Sequence, residues 1–173
     1  MKACLVTVAL VAGLSTASAQ DAKATVYKIP EAQIQMNIPP GWSAEKDSKG
    51  TIVIMKKDSD GYVLFSMTVL PRDPAINLDG LFAAFSEGVL ENVKKDWKNF
   101  KAGTVQKDTQ GEMGVRAQKF EGTMAESGGE LEGLAIIIDS PKPLGIFAQR
   151  TKKHSDLLEN EGNAILSSIA RIQ

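Results

Sequence analysis

Cysteine is almost missing from the chain: Cys4 is the only one among 173 residues. One thiol cannot form an intramolecular disulfide, and it cannot supply the clusters of cysteine ligands that hold structural zinc. The fold must therefore be held together by its apolar core. A chain of this length can bury a core of ordinary size without such cross-links.

Histidine is equally scarce, because His154 is the only one. A lone histidine in the basic segment RTKKHSD offers neither a zinc site nor a nucleophile–base pair. The chain also lacks a Gly-x-Ser-x-Gly nucleophile elbow and a phosphate-binding glycine loop of the Walker type. We therefore expect no enzymatic activity, no metal site and no cofactor.

The chain also has no large excess of positive or of negative charge. Lysine and arginine total 20, aspartate and glutamate total 21, and the formal net charge is −1 at pH 7. A surface that binds nucleic acid normally carries a basic excess, so nucleic acid is not an expected partner. Outside the N-terminal segment no apolar run is longer than residues 134–138 (LAIII), whereas a membrane-spanning helix needs roughly 20 residues.

The N-terminal segment has the pattern of a secretory signal peptide. Lys2 supplies a short positive start, residues 3–14 are apolar, and Ala17 and Ala19 are small residues at the positions that precede a cleavage site. The apolar run is too short to span a bilayer. We expect cleavage between Ala19 and Gln20.

Removal of this segment would leave 154 residues, which is the length of one domain. We expect residues 20–24 to be flexible and residues 25–173 to form a single domain. The mature protein is predicted to be soluble and periplasmic or secreted, without a transmembrane segment. Its expected partner is another protein or an anionic or apolar component of the cell envelope.

Hydrophobic alternation predicts strands on both sides of a long helix. In QIQMNI, for example, Ile34, Met36 and Ile38 share one face, which is typical of a half-buried strand. The predicted strands before the helix are residues 25–29, 33–38, 51–56 and 62–70, and an Asp-Gly turn joins the last two as a hairpin. Those after the helix lie in GTVQKD, GVRAQKFEG, ELEGLAIIID and LGIFAQRT.

Two segments have the apolar periodicity of a helix. In residues 78–100 apolar side chains recur every three or four positions, Asn77 is a suitable N-cap, and Trp97 is the last core anchor. Residues 155–172 repeat the pattern with Ser155 as N-cap. Strands grouped apart from two helices predict an α+β fold, namely a mostly antiparallel sheet with a helix on each face, or αβα sandwich.

The segment IPPGW, residues 38–42, follows the second predicted strand. Together with the long helix near mid-chain, the run of antiparallel strands and a C-terminal helix containing ILSSI, it resembles the PsbP-like superfamily over most of residues 26–172. This superfamily includes the PsbP subunits of the photosynthetic oxygen-evolving complex and the DcrB-type bacterial envelope lipoproteins. The resemblance implies an αβα sandwich and an accessory or binding role, but it carries over no individual functional residue.

Two surface features are candidate contacts for a ligand or partner. Trp42 either folds over a sheet edge or helix end as a structural lid, or lines a ligand groove with its large aromatic face. The other feature is a basic cluster, which is either an ordinary charged surface or a site for an anionic headgroup, an envelope polyanion or an acidic partner. Its predicted members are Lys142, Arg150, Lys152, Lys153 and His154.

Two other functions remain open from the sequence. A hydrolase could use paired carboxylates, either Glu130 and Glu132 or Asp58 and Asp60, which would have to lie roughly 5–10 Å apart in a cleft. Asp58 and Asp60 also resemble the start of a calcium loop, but a hairpin turn fits them better because the remaining oxygen ligands are missing. A carrier of lipid or another small apolar ligand would need an apolar cavity between the sheet and the long helix.

Overall fold

The computed structural model describes residues 23–57, 59, 61–152 and 156–172. Within these ranges the chain forms two antiparallel sheets and two α-helices. In chain order the elements are β1 (Thr25–Ile29), β2 (Ile34–Ile38), β3 (Ser43–Lys46), β4 (Ile52–Lys57), β5 (Tyr62–Val69), α1 (Leu78–Asp96), β6 (Trp97–Gln110), β7 (Met113–Met124), β8 (Glu130–Ile138), β9 (Leu144–Thr151), α2 (Asp156–Ser167) and β10 (Ala170–Arg171). Several predicted features lie outside the described residues: the signal peptide with its cleavage site at Ala19 and Gln20, and residues Asp58, Asp60, Lys153, His154 and Ser155.

The large sheet has the strand order β3-β4-β5-β9-β8-β7-β6, and every neighbouring pair in it is antiparallel. Short turns place most sequence neighbours side by side, as antiparallel pairing allows. The exception is β5, which pairs with β9 from much later in the chain. This arrangement confirms the predicted α+β class and the predominance of antiparallel pairing.

Helix α1 covers one face of the large sheet. It begins where predicted, since Asn77 Oδ1 accepts a hydrogen bond from the Gly80 N–H at 2.8 Å. Its buried side contributes Phe82 and Val93 to a core cluster that also contains Phe120 of β7. Within the described residues, neither α1 nor any other helix is long and apolar enough to cross a membrane.

The predicted end of this helix is wrong. Helix α1 stops at Asp96, and residues 97–100 open strand β6. Trp97 already has extended backbone angles, with φ −113° and ψ 136°, and pairs with Met124 of β7. Trp97 continues the helical spacing of apolar residues, but pairing with a strand that comes later in the chain decides its conformation. It is still a core residue, only 6% exposed.

The opposite face of the large sheet is covered by α2 and by the small sheet β1-β2-β10. Ile34, Met36 and Ile38 of β2 are all buried in this core, as their alternation predicted. A helix on each face is therefore confirmed, whereas the separate small sheet was not predicted. The predicted end of the last helix at Ile172 is wrong: α2 ends at Ser167, and β10 then pairs with β2.

A single side chain from β6 holds the C-terminal end of α2. Gln110 Nε2 donates to the carbonyl oxygens of Leu166, Ser167 and Ile169 at 2.9, 3.2 and 2.8 Å. The last carbonyl groups of a helix have no partner within the helix, so such a donor satisfies them. Gln110 thereby links the C-terminal end of α2 to strand β6.

Candidate functional site

A cleft of about 310 Å³ opens between α2 and the large sheet. Its floor and wall are apolar and come from β5, β8, β9 and α2: Val63, Phe65, Leu134, Ala148, Gly162 and Leu166. Leu134 and Leu166 remain only half-buried, because α2 does not cover this part of the sheet completely. This space, the α2 cleft, has the size and apolar lining typical of small-ligand sites.

A row of charged side chains crosses one end of the α2 cleft. Glu121 of β7 lies opposite Glu132 of β8, and Glu132 lies opposite Arg150 of β9. Directly opposed residues of an antiparallel sheet have Cβ atoms roughly 4.5–5.5 Å apart, and like charges at that separation repel. Lys101 of β6 lies opposite Glu121 on its other side. The row therefore reads positive, negative, negative, positive, with two carboxylates at its centre.

Arg150 joins this row to the helix above it. Its Nε donates to Glu132 Oε2 at 2.8 Å, its Nη2 donates to the same oxygen, and its Nη1 lies 3.0 Å from Glu159 Oε2 on α2. Burial opposes the charge of Arg150, but the hydrogen bonds and charges of Glu159 and Glu132 outweigh it and raise the arginine pKa. The Arg150 hydrogen bond in turn lowers the pKa of Glu159.

These contacts determine which charged groups of the α2 cleft are already paired. Three of the five N–H groups of Arg150 already point at carboxylates, so Glu132 and Glu159 compensate much of its charge. Carboxylates can accept several hydrogen bonds each, and exposed Glu121 forms no ion pair with any described residue. Lys119 lines the rim as an exposed cation. The cleft lining therefore presents apolar surface beside charged groups of both signs.

Trp42 lies beside the core under α2 and is not part of the cleft lining. Its ring packs on Phe65, with centroids 5.8 Å apart, and its indole Nε1 donates to Glu161 Oε2 at 2.8 Å. Lys56 Nζ reaches the same carboxylate oxygen at 2.7 Å. Trp42 thus ties the turn after β2 to the helix, which is the arrangement expected of a structural lid. Contact of Trp42 with a ligand stays a prediction.

Acid should release Trp42 from α2. Partial burial opposes the charge of Glu161, but hydrogen bonds from Lys56 and Trp42 outweigh it and hold the pKa of Glu161 below its ordinary value. A carboxylate with a lowered pKa stabilises the fold above its unfolded pKa and loses that contribution as the pH falls through the folded value. We expect the indole N–H resonance of Trp42 to shift as the pH falls through the lowered pKa of Glu161, while that of Trp97 does not follow.

Two matched variants test this titration. Glu161→Gln should abolish the acid shift of the Trp42 resonance, whereas Glu159→Gln should leave it intact because Glu159 bonds to Arg150 and not to Trp42. The same acid shift in the Glu161→Gln protein would contradict the role of Glu161 as the link between Trp42 and α2.

The described members of the predicted basic cluster do not lie together. Lys142 is in the turn between β8 and β9, whereas Arg150 and Lys152 are at the other end of β9. Eight strand residues of about 3.3 Å each separate these ends, a distance of more than about 20 Å. Lys152 is exposed, and its backbone N–H donates to the Glu130 carbonyl oxygen at 2.9 Å. Lys153 and His154 lie outside the described residues, and a contact role for these basic residues stays a prediction.

The paired carboxylates considered for a hydrolase do not form a matched pair. Glu130 is exposed at the start of β8, and Glu132 is held by Arg150. Asp58 and Asp60 lie outside the described residues. Among the residues that the structure does describe, no group of three or more histidine, cysteine, aspartate or glutamate side chains could hold a metal ion.

The space between α1 and the large sheet is filled by aromatic side chains. A Cβ atom on Gly145 would come within 2.7 Å of the Phe85 ring, and one on Gly133 within 3.1 Å of the Trp97 ring. A groove of about 630 Å³, the α1 groove, opens between α1 and the β6 edge of the large sheet. Charged residues line it as well as apolar ones, so it differs from the enclosed cavity that a lipid carrier would need.

Arg150 and Glu132 are both predicted site residues, but under different hypotheses, and Glu121, Glu159 and Leu134 were not predicted. Finding these residues together requires the register of the hairpins that join β7, β8 and β9. Counting outward from the turns between β7, β8 and β9 aligns Glu121, Glu132 and Arg150 on one face of the sheet. That count depends on knowing where each turn begins, which the residues alone leave uncertain by several positions.

No protein-family model and no curated protein sequence matches the chain. Solved structures do match. Cyanobacterial PsbP (CyanoP) from Synechocystis sp. PCC 6803 has a TM-score of 0.64 at 13% identity, over 87% of this chain and 93% of that one. LpqN, involved in cell envelope biogenesis of Mycobacterium tuberculosis, has a TM-score of 0.51 at 16% identity, over 79% of this chain and 82% of that one. A protein from Bacteroides thetaiotaomicron has a TM-score of 0.52 at 15% identity, over 87% of this chain and 49% of that one. At these identities the likeness shows the fold, and it confirms the predicted resemblance.

Proposed function

We propose that this chain, which has a PsbP-like fold, is an exported accessory protein of the cell envelope that acts by binding and not by catalysis. Its neighbours in fold fit such a role, since they include a PsbP protein and a protein of cell envelope biogenesis. The α2 cleft is the proposed binding site. One observation carries the proposal: the same cleft has an apolar floor and a row of charged residues, and Arg150 connects that row to α2.

The charges favour a ligand that has an apolar body and a cationic end. Leu134 and Leu166 offer half-covered apolar surface, and burying such surface stabilises a complex by about 25 cal/mol per Å². Glu121 and Glu132 face each other in the sheet register, and a cation placed between them would relieve their repulsion. An ammonium or guanidinium group has that charge and only hydrogen-bond donors to offer.

The same contacts favour binding over hydrolysis. A carboxyl group acts as a general acid at neutral pH only where its pKa is raised toward the working pH. Glu159 has a lowered pKa because Arg150 donates to it, and Glu132 Oε2 accepts two hydrogen bonds from the same guanidinium. Arg150 therefore favours the ionised form of Glu159 and fixes the position of Glu132, which supports recognition of a charged group.

Two probes of equal chain length and opposite charge test the proposed site. In calorimetric titrations of the purified protein at pH 7, octylammonium should bind at least about tenfold more tightly than octanoate, a difference of about 1.4 kcal/mol. Leu134→Trp should abolish octylammonium binding by filling the cleft, while Val105→Trp, on the opposite face of the sheet, should leave it unchanged. Equal binding of both probes, or binding that survives Leu134→Trp, would refute the site.

Export has a separate test. N-terminal sequencing of the protein recovered from fractionated native cells should begin at Gln20, in the periplasm or the medium. A protein that begins at Met1 and remains in the cytosol would contradict export, and it would leave the binding result from the α2 cleft untouched.

A further inference from the structure

Arg150 is a cation that already belongs to the α2 cleft. Its Nε and Nη2 both donate to Glu132 Oε2, and its Nη1 lies 3.0 Å from Glu159 Oε2. These three side chains line the cleft, and so does Glu121. The cleft therefore contains three carboxylates, and Arg150 is paired with two of them.

Glu132 has neighbours of opposite charge on its two sides. In the register of the sheet it lies opposite Arg150 on β9 and opposite Glu121 on β7. Among the described residues, only Arg150 donates hydrogen bonds to the Glu132 side chain, and both of these bonds end on Oε2. A cation that bridges Glu121 and Glu132 draws the Glu132 carboxylate toward β7 and away from Arg150. Arg150 and such a cation therefore compete for the same carboxylate.

Partial burial strengthens this competition. The side chains of Arg150 and Glu132 are 25% and 27% exposed, whereas those of the surface pair Lys107 and Asp79 are 62% and 48% exposed. Charges that are partly removed from water interact more strongly and are screened less by salt. Arg150 therefore opposes a second cation in the cleft more than an arginine on the open surface would.

The position of helix α2 does not depend on Arg150 alone. Gln110 holds the C-terminal end of the helix through three carbonyl oxygens, and Ile165 is buried in the core beneath it. Glu161 accepts a hydrogen bond from the indole of Trp42. The helical wall of the cleft therefore stays in place when Arg150 loses a partner on the sheet.

We propose that the cationic end of the ligand takes the place of Arg150 on Glu132, while Arg150 keeps its contact with Glu159. This exchange selects the headgroup of the ligand. A primary ammonium or a guanidinium donates N–H groups to Glu132 in place of Arg150, whereas a quaternary ammonium has no N–H to donate. The exchange rests on the proposed function, because it concerns the ligand of the same cleft.

Calorimetric titrations of the purified protein at pH 7 test this exchange. Octylammonium should bind at least about tenfold more tightly than octyltrimethylammonium, which has the same charge and the same chain length. Arg150→Gln removes the competing cation, so it should tighten octylammonium at least about tenfold and change the affinity of neutral octan-1-ol less than about twofold. Arg72→Gln is the matched control, because Arg72 is paired with Asp139 outside the cleft. It should leave all three affinities within about twofold.

A measurement on the wild-type protein tests the exchange without relying on the folding of a variant. The Nε–H resonance of Arg150 should shift as octylammonium saturates the protein, whereas that of Arg72 should not. A constant Arg150 resonance, or equal binding of octyltrimethylammonium, would refute the exchange. Wild-type binding of octylammonium that Arg150→Gln leaves unchanged or weakens would refute the exchange and leave the proposed function standing. Octylammonium that binds neither the wild type nor Arg150→Gln would refute the proposed function and the exchange with it.

Discussion

Replacing Trp97 by alanine lowers the free energy of unfolding by about 3–5 kcal/mol, the largest loss that we expect from any single side chain of this protein. The indole is only 6% exposed and joins α1 to β6 at the point where helix gives way to strand. It lies across glycines of two adjacent strands: a Cβ atom on Gly122 would come within 2.9 Å of the ring, and one on Gly133 within 3.1 Å. Denaturant unfolding measured by circular dichroism checks the loss without relying on tryptophan fluorescence.

Gly122→Ala tests the packing of Trp97 from the side of β7. The added methyl group would meet both the Trp97 ring and the Lys98 carbonyl oxygen, at 2.9 and 3.1 Å, and such overpacking costs about 1–3 kcal/mol. In the Trp97→Ala background the same glycine substitution should cost less, because the ring is gone. Strictly additive losses in this double-mutant cycle, or an equal loss on Trp42→Ala, would show that Trp97 is not the anchor described here.

Replacing Glu132 by lysine should invert the charge preference of the α2 cleft. Arg150 would lose two of its hydrogen bonds and face a second cation, and Glu121 would be the one carboxylate left in the charged row. Octylammonium should then bind about tenfold more weakly and octanoate about tenfold more tightly, because each tenfold step corresponds to 1.4 kcal/mol. The ratio of their affinities, measured by calorimetry, should change about a hundredfold.

Glu130→Lys is the matched control for this reversal. It makes the same chemical change on the same strand, two residues away and on the same face, but Glu130 is exposed and does not line the cleft. The ratio of the two affinities should change less than about twofold in this variant. If Glu130→Lys shifts the ratio as much as Glu132→Lys does, the preference reflects the overall charge of the protein and not the cleft.

The strands and the helix N-terminus are predictable from the sequence because they depend on local patterns. Ile34, Met36 and Ile38 alternate with polar residues and are buried together, and Asn77 caps α1 with its own side chain. Strand β3, in contrast, was not predicted. Its four residues, SAEK, have no apolar face and become a strand only through pairing with β4.

The ends of the helices are less predictable because they depend on residues that come later in the chain. Trp97 fits the apolar stripe of α1 yet starts β6, since pairing with β7 outweighs helical spacing. Ile169 fits the stripe of α2 but lies beyond its end, where β10 returns to pair with β2. Periodicity identifies which side chains are buried, and Trp97 and Ile169 are both buried. It does not identify the strand whose pairing sets their backbone conformation.

The candidate site shows the same limit. Lys142 and Arg150 are close in sequence but lie at opposite ends of β9, so their nearness in the chain suggested a cluster that the described residues do not form. Glu121 and Arg150 are far apart in sequence but lie in one row of the sheet. The sequence suggests Arg150 as part of an anion site, but in the fold Arg150 is paired with two carboxylates, those of Glu132 and Glu159.

The most direct test of the α2 cleft as the binding site is a titration of isotope-labelled protein with octylammonium, followed by amide chemical shifts. We expect saturable shifts centred on Glu132, Leu134 and Arg150 and on the α2 residues above them, with residues that line the α1 groove unchanged. Shifts centred on the α1 groove or on β6, or no saturable shift at all, would contradict binding in the α2 cleft.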